Sequence, residues 1–105
     1  GVTRRATFLR AADRDLNAIA RWIAEDARSR RVAEAFVARL RQRCHDLAAL
    51  PGTLGAARED LAPGLRSLAW RDYLILFRYL DDRLQIVRIL HGGRDLPAAV
   101  QDTEG

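Results

Sequence analysis

The residues best suited to acid–base chemistry on a phosphate lie in the last forty or so positions of the chain. Histidine is the side chain whose unperturbed pKa suits proton transfer near neutrality, which makes His91 a candidate, and Arg66 and Arg78 could stabilise the charge of a phosphorane. RNA cleavage needs a base for the 2′-hydroxyl, a cation for that charge and an acid for the leaving oxygen. A structural interpretation competes with this one, in which His91 and Arg94 hold a strand end through Asp95 or backbone carbonyls.

Metal chemistry and nucleophilic catalysis have weaker candidates. Cys44 belongs to an apolar helix stripe and the adjacent His45 points elsewhere, so the pair does not supply the three or four ligands of a metal site. Ser29 and Ser67 lack a nucleophile motif, and the two glycines at 92–93 are too few for a phosphate-binding loop. We therefore predict neither a metal site nor a cofactor.

Length and charge indicate a single basic domain with an anionic partner. The chain has 105 residues and a net charge of +4, and all 18 basic residues are arginine. Arginine is the better residue for bidentate contacts with carboxylate or phosphate, so we expect an acidic protein or a phosphate as partner. One cysteine cannot form an internal disulfide, and no apolar run approaches the roughly 20 residues that span a bilayer. We expect a cytoplasmic protein.

The first half of the chain predicts a strand followed by a helical hairpin. Residues 5–10 read as a strand, and Asp13 is the predicted N-cap of a first helix that weakens at residues 25–28. Ser29 is the predicted N-cap of a second helix, which ends at Pro51 and Gly52. The predicted apolar stripes are Leu16, Ile19, Ala20 and Ile23 in the first helix, and Val32, Phe36, Leu40, Cys44 and Leu47 in the second.

The second half predicts three antiparallel strands after a loop at residues 52–64. The strands cover residues 65–70, 73–80 and 84–90, and their linkers are short enough for hairpins. The last two are apolar on both faces, which places them in the centre of the sheet. Arg78 falls on the face opposite Tyr73 and Tyr79. The tail from Leu96 is expected to fray.

These elements predict one α+β domain over residues 1–105, with its core at about 5–97 and the order β-α-α-β-β-β. A strand and a helical hairpin pack on a small, mainly antiparallel sheet. The opposite face of that sheet has too little chain to cover it fully, which favours a binding partner there.

The order and spacing of five segments resemble the ParE-type toxins of the ParE/RelE superfamily of bacterial toxin–antitoxin systems. The likeness covers roughly residues 5 to 97, and the His-Gly-x-Arg-Asp ending of the last strand is its most specific part. The segments are Leu16, Ile19 and residues 22–26 of the first helix; Leu47 and residues 50–51; residues 64–68; residues 73–79 with 81–82; and residues 86–95.

The resemblance implies the toxin component of a type II toxin–antitoxin system, neutralised by a cognate antitoxin with an acidic tail and a DNA-binding N-terminal domain. ParE-type members typically inhibit DNA gyrase by binding, which blocks replication without catalysis. RelE-type relatives share the fold but cleave mRNA on the ribosome, often with lysines and a C-terminal acid–base group. The lack of lysine and the His-Gly-Gly-Arg-Asp ending favour the gyrase inhibitor, whereas the alternative endoribonuclease would use Arg66, Arg78 and His91.

The surfaces implied by the resemblance are assigned by motif position. The target-binding candidates are Arg66, Arg71, Arg78, His91 and Arg94. The antitoxin-binding candidates are Trp22, Arg39 and Arg43, of which the two arginines lie one helical turn apart and form a basic ridge.

Overall fold

Eight secondary-structure elements follow one another in the computed structural model, which describes residues 4–104 of the backbone and side chains through residue 103. In chain order they are β1 (Arg5–Phe8), α1 (Arg10–Ala27), α2 (Arg30–Ala49), β2 (Ala56–Ala57), β3 (Arg66–Trp70), β4 (Tyr73–Tyr79), β5 (Arg83–His91) and α3 (Leu96–Glu104). The α+β class and the order β-α-α-β-β-β are confirmed, with β2 and α3 as additions. No helix within the described residues is long and apolar enough to cross a membrane.

The five strands form one mixed sheet in the order β1-β5-β4-β3-β2. The three long strands β3, β4 and β5 pair antiparallel as predicted. β1 is an edge strand and pairs with β5 in parallel orientation. The register between β4 and β5 shifts after Leu76, which pairs with Arg88, to Phe77, which pairs with Ile86. Val87 is therefore the extra residue of a bulge. β4 and β5 occupy central positions in the sheet, as their apolar sequences indicate.

The caps of the helical hairpin match the sequence at one helix and differ at the other. Ser29 Oγ accepts a hydrogen bond from Val32 N at 3.2 Å, so the predicted cap of α2 is confirmed. The prediction of Asp13 as the N-cap of α1 is wrong, because Leu9 is the N-cap and Asp13 N already donates a hydrogen bond to Leu9 O at 3.1 Å. Asp13 lies within the first turn of α1, and its carboxylate accepts a hydrogen bond from Arg41 of α2 at 3.2 Å.

Two hydrophobic clusters cover the two faces of the sheet. The hairpin packs on one face, where Leu16, Leu40 and Phe77 are fully buried. Val32 was predicted in the stripe of α2 but is 49% exposed, and Ala33 is buried in its place. The buried stripe of α2 thus begins at Ala33, and Val32, one residue earlier on the helix, faces outward.

The predicted fraying of the C-terminal tail is wrong for the residues that the structure describes. Ala98 N donates to Asp95 Oδ1 at 3.1 Å, which caps the start of α3. Ala99 and Val100 are buried against Leu76 and Val87 on the second face of the sheet. Burial of these apolar side chains holds α3 in place, so the tail covers part of the face that the sequence left open. Gly105 lies outside the described residues.

The loop at residues 52–64 contains β2, which sequence patterning did not indicate. Ala56 and Ala57 pair with Ser67 and Arg66 and extend the sheet beyond β3. Gly55 makes this approach feasible, because its φ is +73° and an added Cβ would lie 2.5 Å from Ser67 O.

Candidate functional site

A buried ion pair joins α1 to the centre of the sheet. Arg88 Nε donates to Asp15 Oδ2 at 2.7 Å and Arg88 Nη2 donates to Asp15 Oδ1 at 2.8 Å. This bidentate geometry is the strongest form of an arginine–carboxylate contact. Both side chains are about nine-tenths buried. The hydrogen bond with Asp15 raises the pKa of Arg88, so the guanidinium stays charged.

The position of Asp15 follows from the shortness of β1. β1 pairs with residues Arg83 to Ile86 of β5 and then turns into α1, which leaves the later part of that strand edge without a neighbouring strand. Ile89 N donates to Asp15 Oδ2 at 2.9 Å, so the carboxylate satisfies a backbone donor that β1 does not reach. Asp15 therefore replaces a strand as the hydrogen-bonding partner of this edge.

The same arginine also fastens α3 to the sheet. Arg88 Nη1 donates to Ala99 O and to Thr103 Oγ1, each at 2.9 Å. Thr103 Oγ1 in turn donates to Ala99 O at 2.9 Å. One guanidinium thus connects α1, β5 and α3.

Sequence reasoning missed the pair, although a usable signal was present. An arginine within an apolar central strand is costly to leave unpaired, and this cost singles out Arg88 of β5 as it does Arg78 of β4. Arg88 lies between Val87 and Ile89, both fully or nearly fully buried. Its partner could have been sought among the acids beside the buried stripe of α1, where Asp15 precedes Leu16.

The end of β5 forms a shallow aromatic cavity with α1. Trp22, Tyr73 and His91 line a volume of about 310 Å³, and Trp22 is 61% exposed. The rings of Tyr73 and His91 meet edge to face with their centroids 5.8 Å apart. Burial, with a smaller effect from the charge of Asp72, raises the pKa of Tyr73, so its hydroxyl stays protonated at neutral pH.

His91 is exposed and accepts a local hydrogen bond. Gly93 N donates to His91 Nδ1 at 3.3 Å, and Arg94 N donates to the His91 carbonyl at 3.0 Å. The contacts that hold the strand end therefore involve backbone groups, whereas Asp95 caps α3. With Nδ1 as acceptor, a neutral imidazole carries its proton on Nε2.

Arg71 lies at the β3–β4 turn beside this cavity. It adopts a left-handed backbone with φ of 53°, and its guanidinium lies 4.8 Å from the ring centroid of Trp70. Asp72 O accepts a hydrogen bond from Gly92 N at 2.9 Å, which ties this turn to the end of β5. Arg71 and His91 therefore lie at the same end of the sheet.

Arg66 and Arg78 contact the loop between α2 and β3. Arg66 Nε and Nη2 donate to Leu54 O and Gly55 O, each at 2.8 Å. Arg78 Nε donates to Pro63 O at 3.3 Å. Each arginine thus anchors a different part of the loop through a backbone carbonyl.

The three residues considered for RNA cleavage are not brought to one place. Arg66 shares a face of the sheet with Phe77, its partner in the register, whereas Arg78 follows Phe77 and faces the opposite side. Trp70 pairs with Tyr73, and Tyr73 pairs with His91, so these three residues lie side by side across the sheet. Arg66 lies four positions before Trp70 on β3, which places it about 13 Å from this row of residues along the strand direction.

A basic cleft lies on the other side of α1. Its volume is about 410 Å³, and Arg14 and Arg21 of α1 and Arg94 from the segment after β5 supply exposed guanidinium groups. The ion pair of Asp15 and Arg88 also contributes to its lining. Arg94 therefore belongs to this cleft and not to the lining of the aromatic cavity of Trp22, Tyr73 and His91.

The remaining candidates lie on α2. Arg39 is exposed and Arg43 is half-buried, one turn apart as the spacing predicts. Cys44 is fully buried, and burial raises the pKa of its thiol to about 12 against the smaller opposing effect of Arg41 and Arg43. His45 is exposed and packs edge to face with Phe8 at 5.7 Å.

Within residues 4–103, no group of three or more His, Cys, Asp or Glu side chains is arranged to hold a metal ion. The chemically notable features of the described chain are thus the central ion pair, the aromatic cavity at the end of β5 and several arginine-rich surfaces.

Comparison with known proteins gives the family. The model of the ParE toxin of the type II toxin–antitoxin system parDE matches residues 6–96. The chain belongs to this family and is a toxin component of a type II toxin–antitoxin system. The resemblance drawn from the five sequence segments is thereby confirmed.

Two relatives illustrate the likeness. Toxin ParE3 of Caulobacter vibrioides is 36% identical over 84 residues, which cover 80% of this chain and 82% of that protein. A solved structure described as the chromosomal ParDE TA system from P. aeruginosa contains a chain with a TM-score of 0.70 and 24% identity. That match covers 85% of this chain and 96% of the other, and it shows a shared fold.

Proposed function

We propose that this toxin inhibits DNA gyrase by binding it in the cytoplasm, and that a cognate antitoxin encoded beside it keeps it inactive. Membership of the ParE family supports the proposal, because the resemblance implies gyrase as the target. The relative from P. aeruginosa belongs to a system described as ParDE, which supports a paired antitoxin for this chain as well.

The separation of Arg66, Arg78 and His91 is the observation that favours binding over catalysis. Acid–base cleavage of RNA requires the proton-transfer group and the cation to reach the same phosphate. Arg78 lies on the opposite face of the sheet from Arg66 and His91. Two of the three candidates also donate to loop carbonyls, which gives them a structural role.

The target-binding surface in this proposal is the end of the sheet that carries Arg71 and His91. Both side chains are exposed, and the hydrogen bond from Gly92 N to Asp72 O fixes the two loops relative to each other. A rigid support lowers the entropy lost when exposed groups bind a partner. Arg66 and Arg78 would maintain the nearby loop, and Arg94 would contact a partner from the basic cleft.

The antitoxin in this proposal covers Trp22 and the ridge formed by Arg39 and Arg43. An exposed tryptophan is a typical anchor of a protein interface, since it buries a large area with few rotatable bonds. The net charge of +4 suits a partner with an acidic segment and a DNA-binding N-terminal domain. The antitoxin would then form a hetero-oligomer with the toxin.

The test is inhibition of gyrase by the purified chain. We expect loss of plasmid supercoiling, or trapping of cleaved DNA, at near-stoichiometric amounts of toxin, and restoration of supercoiling by the antitoxin. Gyrase left unaffected, together with ribosome-dependent cleavage of mRNA, would instead identify an endoribonuclease.

Variants locate the surface. Arg71→Ala and His91→Ala should weaken gyrase inhibition about tenfold each, a typical loss for a contact at the centre of an interface. Arg5→Ala is the matched control, because Arg5 is an exposed arginine that pairs with Arg83 at the start of β5, at the opposite end of that strand from His91. Equal inhibition by all four proteins, wild type included, would place the gyrase contact elsewhere.

A further inference from the structure

The basic cleft beside α1 combines three arginines that the fold does not use. Arg14 and Arg21 project from one side of α1, and Arg94 lies across the cleft after the end of β5. Among the residues that the structure describes, none of the three guanidinium groups has a hydrogen bond, ion pair or ring contact. Three exposed guanidinium groups therefore surround a volume of about 410 Å³, whose lining also includes the carboxylate of Asp102 and that of Asp15, which pairs with Arg88.

Arg88, at the base of the same cleft, shows the contrast. Its side chain is about 10% exposed and donates four hydrogen bonds, two of them to Asp15. This arginine is a structural residue and contributes to the wall of the cleft. The charges available to a ligand are those of Arg14, Arg21 and Arg94, all of them exposed.

The lining of the cleft can contact both the charge and the carbon atoms of an anionic ligand. Guanidinium groups bind carboxylates and phosphates equally well in bidentate geometry. The lining also includes the methyl groups of Ala11 and Ala18, one turn away from the arginines on the same helix. The carbon atoms of a peptide segment can pack on these methyl groups while its carboxylates contact the arginines.

We propose that the cleft lined by Arg14, Arg21 and Arg94 binds acidic side chains of the antitoxin. This inference rests on the proposed function, because it assigns a second contact surface to the same partner. Arg14 and Arg21 are seven residues apart, so their Cα atoms lie about 10 Å apart along the helix axis. The cleft therefore suits two carboxylates at a similar separation, with the third arginine placed to contact either of them.

Continuity with Trp22 supports the assignment to the antitoxin. Trp22 follows Arg21 in α1, and it lines the neighbouring aromatic cavity with Tyr73 and His91. A segment that places a carboxylate beside Arg21 can extend directly over this exposed indole. The antitoxin would thus bind an apolar anchor and a charged cleft on adjacent sides of one helix.

The experiment measures binding of the purified product of the adjacent reading frame to the folded toxin by calorimetry. Arg14→Gln, Arg21→Gln and Arg94→Gln keep most of the side-chain length and remove the charge. Each should weaken binding about tenfold at low salt, which corresponds to about 1.4 kcal/mol. Arg31→Gln, which removes an exposed arginine outside the cleft, should change the affinity less than twofold.

A charge exchange tests the direct contact. The double variant Arg14→Glu and Arg21→Glu should lose binding, and replacement of an acidic residue in the antitoxin by arginine should restore at least tenfold of the loss. Circular dichroism and thermal melting should match the wild type, because neither guanidinium has a hydrogen bond, ion pair or ring contact within the described chain.

Two results would overturn the inference while leaving the proposed function intact. The first is wild-type affinity for the antitoxin in all three glutamine variants. The second is loss of binding to a 20-base-pair DNA duplex in these variants with antitoxin binding unchanged, which would identify a phosphate site. Failure of the wild-type toxin to bind the antitoxin at all would refute the proposed partner, and this inference with it.

Discussion

Replacing Asp15 by alanine should strongly destabilise this toxin. The carboxylate accepts three hydrogen bonds, two from Arg88 and one from Ile89 N. Asp15→Ala removes all three and leaves the Arg88 charge about nine-tenths buried without its counter-ion. Removal of one partner of a buried pair costs about 3–5 kcal/mol, because the remaining charge is still desolvated.

The size of this loss can be compared with the whole stability of a small domain. Domains of this size unfold with about 5–15 kcal/mol, so Asp15→Ala would remove a large share of the total. At about 4–8 °C per kcal/mol, the melting temperature should fall by at least about 12 °C. Urea denaturation followed by circular dichroism at 25 °C gives the free energy directly, provided that the m-value is unchanged.

A double variant separates the buried charge from the lost hydrogen bonds. In Asp15→Leu with Arg88→Met no charge remains buried, and Ala99 O still accepts from Thr103 Oγ1. The main remaining cost is the unpaired Ile89 N, about 1–3 kcal/mol. The double variant should therefore be more stable than Asp15→Ala. A double variant as unstable as Asp15→Ala, or less stable, would refute the reasoning.

Three further predictions concern a cap, a turn and a thiol. Ser29→Ala should cost about 1 kcal/mol in urea denaturation, because it removes the side-chain cap of α2. Gly55→Ala should lower the free energy of unfolding by about 2–4 kcal/mol, because a left-handed φ is combined with a Cβ 2.5 Å from Ser67 O. Gly52→Ala is the control: with φ of +77° and open space around the Cβ, it should cost only about 1–2 kcal/mol. Equal losses in the two variants would contradict the clash at Gly55. Cys44 should resist iodoacetamide at pH 8 in the folded protein and react in concentrated urea, because burial raises the pKa of its thiol from 9.0 to about 12. Since the pKa is higher in the folded state than in the unfolded state, the contribution of Cys44 to stability should decline as the pH rises from 9.0 towards 12.

Much of the fold could be predicted because local patterns and tertiary packing agree. The apolar stripes of the hairpin and the two-sided hydrophobicity of β4 and β5 each require burial, and the short linkers leave only antiparallel pairing. Ser29 was recognisable as a cap because its hydroxyl acts on the helix that immediately follows. Such signals are contained within a few consecutive residues.

The features that escaped prediction depend on contacts between distant parts of the chain. Asp15 and Arg88 are 73 positions apart, and neither residue alone indicates its partner. α3 is a short helix with a mixed sequence, and its stability comes from the apolar face of a sheet that the rest of the chain must first build. Asp13 was mistaken for a cap because β1 runs into α1 without a loop, and the backbone of Leu9 takes that position.

The pairing of β1 with β5 has a consequence for synthesis of the toxin on the ribosome. Arg5 pairs with Arg83, and Asp15 requires Arg88 and Ile89, so these contacts at the start of the chain cannot form until residue 89 has been made. Contacts of such sequence separation also slow folding, since a long loop must close before they form. A newly made toxin therefore passes through an interval in which its first strand and both hairpin helices have been made but cannot yet pack on a completed β5.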